Sequence, residues 1–247
     1  MAGAHSADVV FVLDASGSME PLFDGMRRNL NAFVEGLSEG HGAVQDIRLD
    51  FLAHNGDETK FHASTIGYDS CLDVIKHLYK NNNDSKRFFT NSPKVFTDRL
   101  GAVKCAGDET GLYALDLALD FPWRPAQKTR RAIVYITDEP LETGSQVDIL
   151  ASKIPDLIEK IHARRVKLYI VAPSSSAYNQ LAEADGSDYD VIEENNGLSK
   201  IDFADLLRTM GKSVSASTLQ SGADDEKMRD LYGMKSWVSV DGPIHGV

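Results

Sequence analysis

Val9-Val10-Phe11-Val12-Leu13-Asp14-Ala15-Ser16-Gly17-Ser18-Met19 is the stretch on which the fold turns. Its first five residues are apolar on both faces, which describes a strand buried in the middle of a parallel sheet, and Asp14 ends it abruptly. After the Ser-Gly loop, Leu22, Met26, Leu30, Phe33/Val34 and Leu37 recur at the three- and four-residue steps of an amphipathic helix. Strand, polar loop and helix in that order open an α/β unit.

The same pattern recurs outward from this point. Arg131–Thr137 is a second apolar run that stops at an aspartate, Asp138, and Val166–Ala172 is a third that stops at Pro173. Ile47 to Ala53 alternates with period two, Lys60 to Ile66 reads as a weaker strand beside it, and a short strand near Asp190–Ile192 closes one edge. Helical stripes lie between them. Cys71–Tyr79 and Leu112–Leu119 make two, and Val147–Ile161 makes a third in which Pro155 kinks or restarts the helix. The expectation is an α/β fold: a doubly wound, mostly parallel sheet with helices on both faces. One domain over 1–211 is followed by a tail or latch over 212–247, where the periodicity fails and the chain turns Ser-rich, then acidic.

With 247 residues, 42% of them hydrophobic, the chain can bury one sizeable core. No apolar run approaches the ~20 residues of a membrane helix, so no membrane partner is expected. A net charge of −11 repels phosphate backbones and argues against nucleic acid. The N-terminal residues lack the basic region of a secretory signal, and two cysteines, Cys71 and Cys105, cannot build a disulfide framework. The expected compartment is cytoplasmic.

The chemistry gathers where strands end. Asp14, Ser16 and Ser18 alternate along a tight loop, so their oxygens can converge above the C-terminal edge of the sheet, and Asp138 is delivered to that same edge. A third piece, Gly107-Asp108-Glu109-Thr110-Gly111, is a polar loop entering a helix. Hydroxyl and carboxylate oxygens are the ligand class of a hard cation such as Mg²⁺.

Taken together, Asp14-x-Ser16-x-Ser18, the Gly-Asp-Glu-Thr loop and Thr137-Asp138 resemble the metal-ion-dependent adhesion site of a von Willebrand factor A domain, over roughly residues 7–210. The resemblance implies that Ser16 and Ser18 bind Mg²⁺ (Mn²⁺ or Ca²⁺ as alternatives) through their hydroxyls. It implies that Asp14 and Asp138 bind directly or through water, and that Glu109 or Thr110 supplies the middle ligand. It further implies a Rossmann-like fold and a cytosolic adaptor, not an enzyme, that captures a partner protein's Asp or Glu. An ATPase or kinase in a bacterial stress-response or defence complex is the implied setting. Two other readings stand beside it: a metal-assisted phosphoester hydrolase using the same oxygens, and a structural subunit that binds through its helices and tail.

Other residues are read as structural. His54 ends the second strand, where a loop or capping role is expected. Arg130-Arg131 and Arg164-Arg165 are expected to be solvated, Cys105 to be a core thiol, and Phe88, Phe89 and Phe96 to anchor a loop.

Overall fold

β1 (His5–Asp14) lies at the centre of the sheet, as its unbroken apolar run requires. The structure, a computed structural model, describes residues 5–39, 44–54, 61–63, 88–105, 111–140, 152–184, 187–193 and 198–216. On one side of β1 stand β2 (Val44–His54) and β3 (Phe61–Ala63); on the other stand β4 (Thr129–Ile136), β5 (Val166–Pro173) and β6 (Asp188–Ile192). The order is β3-β2-β1-β4-β5-β6, all parallel except β3, which runs antiparallel on β2. The doubly wound, mostly parallel sheet read from the sequence is therefore present, and the weak strand beside β2 is its antiparallel edge.

Alternation along the strands divides the interior into two cores. Val10, Val12, Leu52, Ile133 and Tyr135 face α3 (Gly111–Ala118), α4 (Ile154–Arg164) and α5 (Ser176–Ala182). Val9, Phe11, Leu13, Phe51 and Val134 face α1 (Glu20–Glu39), α2 (Pro93–Leu100) and α6 (Phe203–Ala216). Phe96, at the centre of α2, meets Phe11 and Phe51 edge-on at centroid distances of 5.5 and 5.3 Å. With Phe88 and Phe89 also buried, this segment is anchored as expected.

Helix ends follow local chemistry. Ser92 caps α2 by accepting the Val95 N–H, with Pro93 in the first turn, and Ser175 caps α5 by accepting the Tyr178 N–H. Pro155 restarts the Val147–Ile161 stripe: α4 has this proline in its first turn. The part of that stripe before residue 152, and the Cys71–Tyr79 stripe, lie outside the described residues. No helix among the described residues is long and apolar enough to cross a membrane.

Two readings are corrected. Arg130 and Arg131 are buried, 8% and 5% exposed, because β4 runs on to the floor of the sheet. There Arg131 donates from Nε to the Arg124 carbonyl at 2.8 Å and from Nη1 to the Arg164 carbonyl at 2.7 Å. The Arg164 guanidinium is likewise mostly buried and pairs with Asp120 at 2.8 Å. The second correction concerns helical periodicity, which does not fail at Lys212. Phe203, Leu207, Met210 and Val214 form the buried stripe of α6, which continues to Ala216. Residues 217–247 lie outside the described residues.

α6 lies against α1, running the same way. A Cβ on Gly36 would stand 2.2 Å from the Arg208 carbonyl oxygen, and one on Gly211 would stand 2.3 Å from that of Phe33. The two backbones thus meet where neither has a side chain. Arg208–Glu35 at 2.6 Å and Lys212–Glu39 at 3.0 Å flank the contact.

Candidate metal centre

In an open α/β sheet a crevice forms at the C-terminal strand ends where successive connections diverge to opposite sides. That point here lies between β1, whose chain leaves toward β2, and β4, whose chain leaves toward β5. Asp14 is the last residue of β1 and Asp138 follows β4 by two residues, so both carboxylates stand at the crevice.

The loop after Asp14 folds on the aspartate itself. Asp14 Oδ1 accepts the Ser16 N–H at 2.7 Å, and its Oδ2 accepts the Thr137 hydroxyl at 2.8 Å. The Ala15 N–H donates to the His54 carbonyl at 2.6 Å, which continues the β1–β2 ladder into the turn. A single 3₁₀ turn, Gly17–Met19, follows, and buried Met19 pins it to the core. Ser18 is thereby exposed at the mouth, with its Oγ 3.2 Å from Ser16 Oγ and donating to Asp138 Oδ1 at 3.1 Å. Asp14, Ser16, Ser18 and Asp138 form one connected set of oxygens.

Its electrostatics are those of a vacancy in charge. Asp14 is fully buried and Asp138 is 3% exposed. Burial pushes the Asp14 carboxyl up to about 6, against the hydrogen bonds from Ser16 and Thr137, and raises Asp138 as well. No lysine, arginine or histidine among the described residues forms an ion pair with either carboxylate. Cys105, a partly buried thiol, is pushed up to about 11 by burial and then by the nearby charges of Glu20 and Asp14. Among the described residues no three His, Cys, Asp or Glu side chains cluster as ligands, so the donor set is carboxylates completed by serine hydroxyls. Hard oxygens with net negative charge and no counter-cation fit a hard divalent cation.

Four of the six ligands expected from the sequence are brought together; Glu109 and Thr110 lie outside the described residues. The sequence reading missed Thr137, whose hydroxyl fixes Asp14 and also accepts the Glu139 N–H at 3.3 Å. Its signal was present: Thr137 is a hydroxyl immediately before Asp138 at the end of an apolar strand. It also misplaced His54, which is neither a loop nor a capping residue. His54 is buried completely, with its ring stacked on Tyr135 at 6.4 Å and 15°. The floor beneath is aromatic, with Tyr135 and Tyr178 hydroxyls 3.3 Å apart and Tyr178 donating to the Glu139 carbonyl. Gly111 starts α3 directly over this floor, where a Cβ would lie 1.7 Å from the Tyr135 hydroxyl.

No protein-family model and no curated protein matches the sequence. Solved structures do match the fold. One is a von Willebrand factor type A protein from Catenulispora acidiphila, at 13% identity and a TM-score of 0.53, covering 86% of this chain and 43% of that one. Another is the SpRpn10 VWA domain, at 11% identity and a TM-score of 0.55, covering 86% of this chain and 98% of that domain. The chain therefore has a von Willebrand factor A-type fold and spans less than half the length of the first of these structures.

Proposed function

We propose that the chain is a protein-binding module that holds a divalent cation, Mg²⁺ first, on Asp14, Ser16, Ser18 and Asp138, and through it captures an Asp or Glu side chain of a partner. The observation that carries this reading is the pair of buried carboxylates without a described counter-cation. When bound, the cation supplies a Lewis-acid position for a carboxylate oxygen. Asp14 and Asp138 bring two negative charges, enough to offset a divalent ion without an excess that would repel an acidic partner. Ser16 and Ser18 add neutral oxygens, and Glu109 or Thr110 adds the remaining one. Exposed Ser18 marks the side from which the partner arrives.

Binding, not turnover, is the proposed role, since both Asp14 oxygens are already held by the Ser16 amide and the Thr137 hydroxyl and leave no free base. The proposed partner is a cytoplasmic protein with an accessible acidic side chain. An ATPase or kinase of a stress-response or defence assembly is the first to examine.

The test is capture of partners from the source cell's lysate by the tagged chain with Mg²⁺, with EDTA, and with Asp14→Ala in Mg²⁺. The expected result is a protein retained only by the wild-type chain in Mg²⁺ and released when its own acidic residue is replaced. Retention in all three conditions would move binding away from Asp14 and overturn the reading.

A further inference from the structure

The end of β2 carries a group that the oxygen set leaves unused. His54 is fully buried, and neither imidazole nitrogen has a hydrogen-bond partner among the described residues. A buried imidazole in that condition costs stability unless something absent from the protein chain satisfies it.

Its position says what that something is. His54 pairs with Asp14 in the β1–β2 register, and alternation along the strands puts both on the face that carries Val12, Leu52 and Tyr135. β2 and β4 flank β1, two strand spacings or about 9.6 Å apart. The His54 and Tyr135 rings nevertheless stack with centroids only 6.4 Å apart. The rings therefore converge over β1 at its Val12–Asp14 end, since Tyr135 pairs with Val12. Tyr135 and Tyr178 direct their hydroxyls toward each other and the Glu139 carbonyl, not toward the imidazole. Burial pushes the His54 ring down to about 3, so it is neutral and keeps a lone pair at any physiological pH.

We propose that His54 is a nitrogen donor to the cation held by Asp14, Ser16, Ser18 and Asp138, and that the site therefore prefers a first-row transition ion such as Mn²⁺ to Mg²⁺. This rests on the metal reading above and adds the identity of the ion. Oxygen-only sets suit Mg²⁺, which rarely takes imidazole, whereas Mn²⁺ and the ions after it accept mixed nitrogen and oxygen ligands.

The experiment uses the full chain, stripped with EDTA, dialysed and loaded with Mn²⁺ alone as the probe. Pulsed electron paramagnetic resonance reads nitrogen hyperfine coupling to Mn²⁺, and calorimetry gives the Mn²⁺/Mg²⁺ affinity ratio for wild type, His54→Phe and Asp14→Asn. The expected result is nitrogen coupling in the wild type, its loss in His54→Phe, and a fall in the ratio of about tenfold or more. Mn²⁺ that binds the wild type, is lost in Asp14→Asn and shows no nitrogen coupling would overturn the proposal while leaving the oxygen site standing. Coupling that survives His54→Phe comes from another histidine and overturns it too. Failure of Mn²⁺ to bind would overturn both readings. The decisive spectrum is that of the wild type, so a variant that misfolds leaves the test intact.

Discussion

Asp14 and His54 sit side by side at the ends of adjacent strands, and burial moves them in opposite directions. Asp14 is raised from 3.8 to about 6, so between those values the folded chain holds a proton that the unfolded chain releases. Its contribution to stability is therefore largest in acid, declines as pH rises through that window, and is a fixed cost above it. His54 is lowered from 6.5 to about 3, so there the unfolded chain holds the extra proton, and stability is lost as pH falls below 6.5. The two slopes nearly cancel between about pH 4 and 6 in the metal-free chain. We predict that His54→Phe, measured by urea unfolding in EDTA, exposes the Asp14 slope: the variant gains more over wild type at pH 5 than at pH 7.5. An equal gain at both values would contradict this assignment. Asp14→Asn in EDTA at pH 7.5 is predicted to stabilise the chain by about 1–3 kcal/mol, because it removes an uncompensated buried charge. The same substitution should abolish any rise in melting temperature caused by a divalent cation. Asp14, Ser16, Ser18 and Asp138 were legible because each lies on or just beyond a strand end that the apolar runs define. Thr137 and His54 were not, because their roles arise from the parallel register of β1 with β2 and β4.

At the scale of elements, β1, β4 and β5 were legible from unbroken apolar runs, and α1 from a stripe spanning twenty residues. α2 and α5, of eight and seven residues, are too short to declare a period and depend on the Ser92 and Ser175 caps. α6 was obscured by Gly211 and by its serines, although its apolar spacing was regular. The Gly36–Gly211 contact explains why such residues are tolerated there. Helix propensity alone favours alanine over glycine by about 1 kcal/mol at either position. The Cβ, however, would meet backbone oxygen at 2.2 or 2.3 Å, which a flexible side chain cannot relieve. We predict that Gly36→Ala and Gly211→Ala each destabilise by roughly 1–3 kcal/mol on denaturant unfolding. A stabilising outcome would show that the helices separate without cost.

For the molecule as a whole, the two ends of the sheet use aspartate in opposite ways. At the floor, Asp8 is fully buried but accepts from Arg48 Nε at 2.8 Å and from the Arg124 amide and Nε, each at 2.8 Å. Arg124 also pairs with Asp46, and Arg48 lies over the Phe89 ring at 4.5 Å. Asp8→Ala is predicted to destabilise by about 3–5 kcal/mol while leaving cation affinity unchanged, the reverse of Asp14→Asn. Denaturant unfolding and calorimetry on the same two variants would separate the two poles. The helix pair also has a mechanical consequence. α1 begins just after the site and α6 ends near the floor, so tension applied between Ser18 and Ala216 runs lengthwise along both helices. Such a load shears two backbones keyed together at Gly36 and Gly211, a geometry that resists traction better than one whose contacts peel apart one at a time.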